Sequence, residues 1–237
     1  MILRRLSTQI KNQDWSAVAI EFVILVVGVF IGIQVSNWND QRNDRETEGV
    51  YLQRLQQELA DLVPIADDFL QVVSERESQV NEVRDYFITG EQLGALNGEN
   101  CGAVGRSHIM AGTIHYPPTI KELIATGRIV LIRDENLRTA ILSFDQAHHG
   151  MLTLRKDIQI DRLPLARKHP ELIRHGLASW GDAQCDFEAM RASQQFLNDF
   201  TDNRRRFSAY VELVERAQTE RIKSLGAQVS ESLARRF

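Results

Sequence analysis

EFVILVVGVFIGIQVSNWND, residues 21–40, is a strongly apolar run broken by one carboxylate, two glycines and an amide before it ends in tryptophan and asparagine. From Ala17 to Val35 only Glu21, Gly28, Gly32 and Gln34 interrupt the hydrophobic residues. An α-helix from Trp15 to Trp38 rises about 35 Å at ~1.5 Å per residue, which suits a hydrocarbon layer of roughly 30 Å plus its interfaces. Trp15 and Trp38 then fall at the two headgroup levels, where an indole buries its ring and keeps its N–H wet. Residues 15–38 read as a transmembrane helix. The rival is a cleaved signal peptide, whose apolar region of about 7–15 residues would be followed by small residues. Here the run is longer and passes directly into the bulky, polar QVSNWNDQRND. An uncleaved anchor is the expectation.

On a helix, Glu21, Leu25, Gly28, Gly32 and Val35 are three or four residues apart and share a face. Gly28 and Gly32 make a small-xxx-small strip that lets a second backbone approach closely in lipid. Glycine is also simply frequent in membrane helices, and that alternative stays open. Glu21 lies six residues past Trp15, so it either reaches the interface or hydrogen-bonds to another helix, because a bare charge in hydrocarbon is costly. Arg4, Arg5 and Lys11 precede the span and Arg42 and Arg45 follow it. That small excess places residues 1–14 in the cytoplasm and residues 39–237 in the periplasm, with the span in the inner membrane.

The whole chain has 237 residues, 43% hydrophobic and 25% charged, enough for one packed domain beyond the span. A formal charge of -4 supplies no basic field to release counterions, so nucleic acid is not an expected partner. The two cysteines, Cys101 in NGENCGAVG and Cys185 in WGDAQCDFE, sit in turn-like surroundings on the translocated side. They are candidates for a disulfide joining two distant connections, the alternative being two unrelated thiols.

The segments AIEFVILVVGVFIGIQVSNWND (18–40, with Val18 before it) and IKELIATGRIVLIRDENLRTAIL (120–142) together resemble a family of uncharacterised bacterial single-pass membrane proteins, grouped as a domain of unknown function. Members have an N-terminal span ending in a Gly-Ile-x-Gln-x-x-Asn-Trp-Asn type signature, represented here by Gly32-Ile33-Gln34 and Asn37-Trp38-Asn39. The resemblance implies that architecture and carries no catalytic residue.

Beyond the span, Leu52, Leu55, Leu59, Leu62, Ala66, Phe69, Val73, Arg76, Val80, Val83 and Phe87 recur in steps of three and four, the seam of a long coiled-coil-like helix. Pro64 should kink it. Arg76 is the one charge in the seam, expected either to extend its guanidinium to water past a packed stem or to pair with a buried acid. The glycines and asparagines of residues 89–105 predict a loop. A short helix is expected over 106–111, then a helix over 119–126 with a Thr119-x-x-Glu122 capping box and Gly127 as its left-handed cap. RIVLI (128–132) could be a strand by its β-branched content, but with no plausible partner strand it reads rather as a buried connection. Asp134 should cap a helix running to about Arg167, and Phe187–Ala234 should form one final helix. Three long amphipathic helices must bury their narrow stripes on one another. The expected fold is all-α: an N-terminal transmembrane helix followed by an elongated antiparallel bundle of three to four long helices.

No constellation points to chemistry. His148 and His149 are adjacent and point about 100° apart on a helix, unlike the i,i+4 pairs that hold zinc. There is no nucleophile elbow, P-loop or dinucleotide fingerprint, so no enzyme activity, metal or cofactor is expected. The leading expectation is a membrane-anchored interaction or scaffold protein whose partners are the lipid bilayer and either further copies or another envelope protein. The alternative is a sensory or solute-binding module, in which His115, Arg128 and Arg133 form a polar pocket for an anion.

Overall fold

The computed structural model describes residues 15–91 and 93–235, with side chains described for 20, 22–91 and 94–235. The chain divides into two compact units, Met1–Val50 and Tyr51–Phe237. One helix, α1 (Trp15–Thr89), contributes to both. In the first unit, Ile20 and the hydrophobic residues from Phe22 to Val35 are all exposed. This stretch is long and apolar enough to cross a membrane.

The second unit is all-α apart from one two-residue strand pair. After α1 come α2 (Gly98–Gly105), α3 (Pro118–Ala125), α4 (Glu135–Gln159), α5 (Leu165–Lys168), β1 (Ile173–Arg174), β2 (Gln184–Cys185), α6 (Phe187–Ala192), α7 (Gln194–Tyr210), a π-helical turn (Val211–Arg216) and α8 (Ala217–Ala234). β1 and β2 pair antiparallel. The expected seam of α1 is buried or half-buried at every position from Leu52 to Phe87. Pro64 lies on the exposed side of α1, beside exposed Ala60 whose carbonyl loses its helical partner. α1 is helical throughout, so the proline ends nothing.

Contacts give the arrangement. Gln56 bonds Ser230, Lys223 pairs with Asp67, Ser208 bonds Glu77, and Arg204 bonds Asn81. The C-terminal helices therefore run antiparallel to α1. Asp134 pairs with Arg235 and Leu163 is held by Asn203, so the same C-terminal helices run antiparallel to α4 as well. α1 and α4 are consequently parallel, which corrects the wholly antiparallel bundle expected from the sequence. Parallel neighbours need a return crossing between them. Residues 107–117 make it as an extended strap with no regular secondary structure.

Three apolar clusters fill the interior. Leu52, Leu55 and Leu59 pack with Ile120, Leu123, Ile141 and Val229. In the middle, Val73, Met110 and Met151 meet Phe207, Tyr210 and Val214. At the far end Val80 and Val83 join Cys101, Val104, Leu165, Ile173, Met190 and Phe196.

Local chemistry explains the remaining departures. Residues 98–105, expected as loop, form the largely buried α2, because the Asn97 side chain accepts from the amides of Glu99 and Asn100 while its own amide donates to Asn100 Oδ1. Residues 106–111, expected as helix, belong largely to the strap. Thr119 and Glu122 form no capping box. Thr119 instead bonds Glu58 through both its amide (3.0 Å) and hydroxyl (2.7 Å), and Glu122 accepts from Tyr51 and pairs with Arg54. Gly127 (φ +70°) ends α3 in the left-handed region, and Asp134 caps α4 through the amides of Asn136 and Leu137. RIVL forms a 3-10 turn with only the following Ile132 fully buried. α4 stops at Gln159, before left-handed Asp161 (φ 57°). The final helix is interrupted at Ser193, which caps α7, and again by the π turn.

Candidate functional site

Three places in the chain hold features beyond generic packing. The first is the exposed apolar helix. A Cβ added at Gly28 or Gly32 would meet nothing within 4 Å, so the small-residue strip is open. Trp38 is exposed. The Trp15 and Glu21 side chains, expected as an interface anchor and an association residue, lie outside the described ones.

The second is the far end of the second unit, where Cys101 in α2 and Cys185 in β2 form a disulfide with Cα atoms 5.5 Å apart. Around it α2 lies against the turn Trp180–Asp182 with almost no clearance. A Cβ on Gly98 would stand 1.8 Å from the Gly181 carbonyl oxygen, and one on Gly102 would stand 2.3 Å from that of Trp180. The glycines that suggested a loop therefore permit close backbone contact. Arg106 covers the Trp180 ring at 5.0 Å, leaving Leu177 fully exposed on the adjoining loop.

The third is the strap, whose backbone is held by side chains from all three long helices. Arg76 Nη2 donates to the Ile109 carbonyl at 3.0 Å, Gln159 Nε2 to that of Met110 at 2.7 Å, and Arg155 Nη1 to that of Gly112 at 2.5 Å. Gln218 accepts the His115 amide (2.6 Å) and donates to the Thr113 carbonyl (3.3 Å). Tyr116 donates its hydroxyl to Asp145. At the strap's start, Asn203 binds both the amide and carbonyl of Leu163 and also reaches the Ser107 hydroxyl. Where such a segment is covered and has no ladder its peptide groups need such partners, since each orphaned buried group is costly.

Half-buried Arg76 thus turns its guanidinium onto the strap, and no ion pair with an acid is present for it among the described residues. It stacks 4.2 Å over Phe207, and burial, with Arg106 adding, lowers its pKa to about 10. Beside it the π turn brings Tyr210 and Glu215 against Gly112. Both side chains are fully buried, and the Tyr210 hydroxyl and Glu215 Oε1 have no well-formed hydrogen bond. Burial pushes the Glu215 carboxyl upward; Tyr210 and Arg155 oppose that only in part. A raised carboxyl supports folding below its ordinary pKa, and that support is lost as pH rises through the raised value. Glu215→Gln should therefore gain stability relative to the parent as pH increases from 5 to 8, read by urea denaturation at several pH values. A Gln variant that grows relatively weaker with pH would mean that Glu215 works as a buried anion.

His115, Arg128 and Arg133 were expected to share an anion pocket. The strap takes His115 to Gln218, whereas Arg128 donates to the Tyr51 hydroxyl at 2.6 Å beside Glu122. His115 and Arg128 thus serve separate networks, and the Arg128 charge already has a carboxylate neighbour. His148 is buried, stacked on Tyr116, while His149 is exposed and faces Asp145 at 3.6 Å. Among the described residues no three His, Cys, Asp or Glu side chains gather to hold a metal ion. The strap clamp itself was missed. Its available signal was polar residues on an apolar helical stripe: Asn203 between Phe200 and Phe207, and Glu215 and Gln218 between Val214 and Ile222.

No curated protein matches this chain, and no solved structure does. Residues 21–154, more than half of its length, match the model of a family of unknown function (DUF6090), and the chain belongs to that family.

Proposed function

We propose that this protein is a single-span membrane protein acting as a helical interaction or scaffold component of the bacterial envelope, with its N-terminus in the cytoplasm and its bundle in the periplasm. The observation that carries the reading is the uninterrupted exposure of Ile20 and Phe22–Val35. Water would penalise so many bare apolar side chains at about 25 cal/mol per Å², whereas lipid removes the penalty. The open Gly28/Gly32 strip supports association between spans. The Cys101–Cys185 bridge supports an oxidising compartment for the bundle.

The test is to tag the C-terminus, solubilise native membranes in mild detergent, and measure the mass and composition of the purified particle. The expected particle contains several copies or a second envelope protein at a fixed ratio. A lone monomer at every concentration would overturn the scaffold reading. A sensory or solute-binding role is second, supported by the buried polar groups around the strap. A thermal-shift screen without concentration-dependent stabilisation would count against it.

A further inference from the structure

We propose that the strap, residues 107–117, is an acid-released element: protonation of His108, His115 and His148 frees it from the bundle while the long helices and the disulfide-linked end stay folded. The inference concerns the second unit alone and stands whether or not the chain is a scaffold.

The geometry makes the strap separable. Only the turn that opens it uses neighbouring backbone, the Ser107 and Ile109 amides donating to the Val104 and Arg106 carbonyls; the peptide groups of Ile109, Met110, Gly112, Thr113 and His115 bind side chains, and its deepest apolar anchors are Met110 and Ile114. The seams of α1, α4, α7 and α8 extend well beyond it into the two flanking clusters. Opening the strap therefore exposes little of the total core, the condition for sub-global opening.

The imidazoles supply the trigger. His108 and His148 each have a buried Nδ1 with no hydrogen-bond partner; the Gly105 carbonyl near His108 and the His115 carbonyl near His148 favour a proton, and burial outweighs them. Charging a ring whose Nδ1 is buried without an acceptor carries a desolvation cost. The surrounding charges deepen the effect at His108, which faces Arg162, His175 and Arg167. At His148, His149 opposes a proton and Asp145 favours one, although Asp145 is already engaged by Tyr116. His115 is disfavoured as a cation by burial. The cations Arg76 and Arg155 hold the strap itself, with Arg106 close to Arg76. Of the remaining titratable neighbours, Tyr210 stays neutral, and Glu215 acts in the opposite sense because its raised pKa favours the folded state on acidification.

For the three histidines, burial lowers the pKa, so the folded state binds fewer protons than the unfolded chain. Their contribution is complete above the ordinary pKa of about 6.5 and is lost as pH falls through the lowered values. Three groups pull toward release and one carboxyl toward retention.

Hydrogen exchange on the full chain in detergent micelles, corrected for intrinsic rates, tests this at pH 7.5 and 5.5. Protection across residues 107–117 is expected to fall by about tenfold or more while α4 and α8 keep theirs. Unchanged strap protection, or parallel loosening of all three clusters, would overturn the proposal. The double variant His108→Gln/His115→Gln, both sites being only half-buried, should lose at least about half of the acid-induced change. A folded double variant that keeps the whole change would remove the histidines as the trigger. Should it not fold at pH 7.5, as judged by circular dichroism, the single variants His108→Gln and His115→Gln decide together: each is expected to lose about a third of the acid-induced change, and if both keep all of it the histidines are not the trigger.

Discussion

Replacing Cys101 and Cys185 together by alanine should destabilise the second unit by about 2–5 kcal/mol, the largest effect expected from two small substitutions. The bridge spans 84 residues of sequence, so in the chain-entropy account it removes roughly 4–5 kcal/mol of freedom from the unfolded state. Native-state contacts at the far end should follow, because the bridge ties α2 to β2 inside the cluster that includes Val83, Ile173 and Phe196. Alanine avoids placing a hydroxyl at the buried Cys101 site, which would confuse crosslink loss with a desolvation penalty. Urea denaturation of the full chain in micelles is the measurement, with thiol alkylation before and after reduction as its control. A loss below about 1 kcal/mol, or rapid alkylation without reductant, would show that the two thiols are unbridged in the folded protein, and would remove one support for an extracytoplasmic bundle.

The second large effect reverses an intrinsic preference. In a helix interior, glycine to alanine normally gains about 1 kcal/mol. Gly150→Ala in α4 should show that gain, since its added Cβ meets nothing within 4 Å. Gly98→Ala and Gly102→Ala should instead each cost about 3 kcal/mol or more, because the new methyl would overlap a backbone carbonyl and backbone yields less readily than a flexible side chain. Thermal unfolding of the three variants makes the comparison. If all three were stabilising, α2 would not pack directly on the Trp180–Asp182 turn.

The family match ends at residue 154, within α4, so α7 and α8 lie beyond it although they complete all three core clusters. Tests of the proposed association should therefore include the C-terminal helices. Leu213, on the π turn, is apolar and exposed there.

Much of the helical framework is legible in the amino-acid order. The seam from Leu52 to Phe87, the stripe from Phe196 to Leu233, the caps at Gly127 and Asp134 and the bare run up to Val35 follow from periodicity, left-handed glycine and N-cap chemistry, all of which act within a few residues. The candidate sites are less legible. His115 and Arg128 are only thirteen residues apart in sequence, yet backbone capture by Gln218 draws one into the strap while Tyr51 and Glu122 engage the other. The clamp on the strap joins Arg76, Arg155, Gln159 and Gln218, of which only Arg155 and Gln159 share a helical spacing; nothing local links that pair to Arg76 or Gln218.

By itself, the sequence determined that this protein is helical, carries one helix apolar enough for a membrane, and has three long stripes that must be covered. Only the tertiary structure decided that α1 and α4 run parallel, that an extended strap rather than a fourth long helix makes the return, and that a glycine-rich stretch is helix. The physical reason is range. Helix periodicity and capping are settled by neighbours three or four residues away, whereas the strap's conformation depends on side chains from distant helices satisfying its peptide groups, and α2 depends on a turn about eighty residues later lying close enough to exclude every side chain larger than hydrogen.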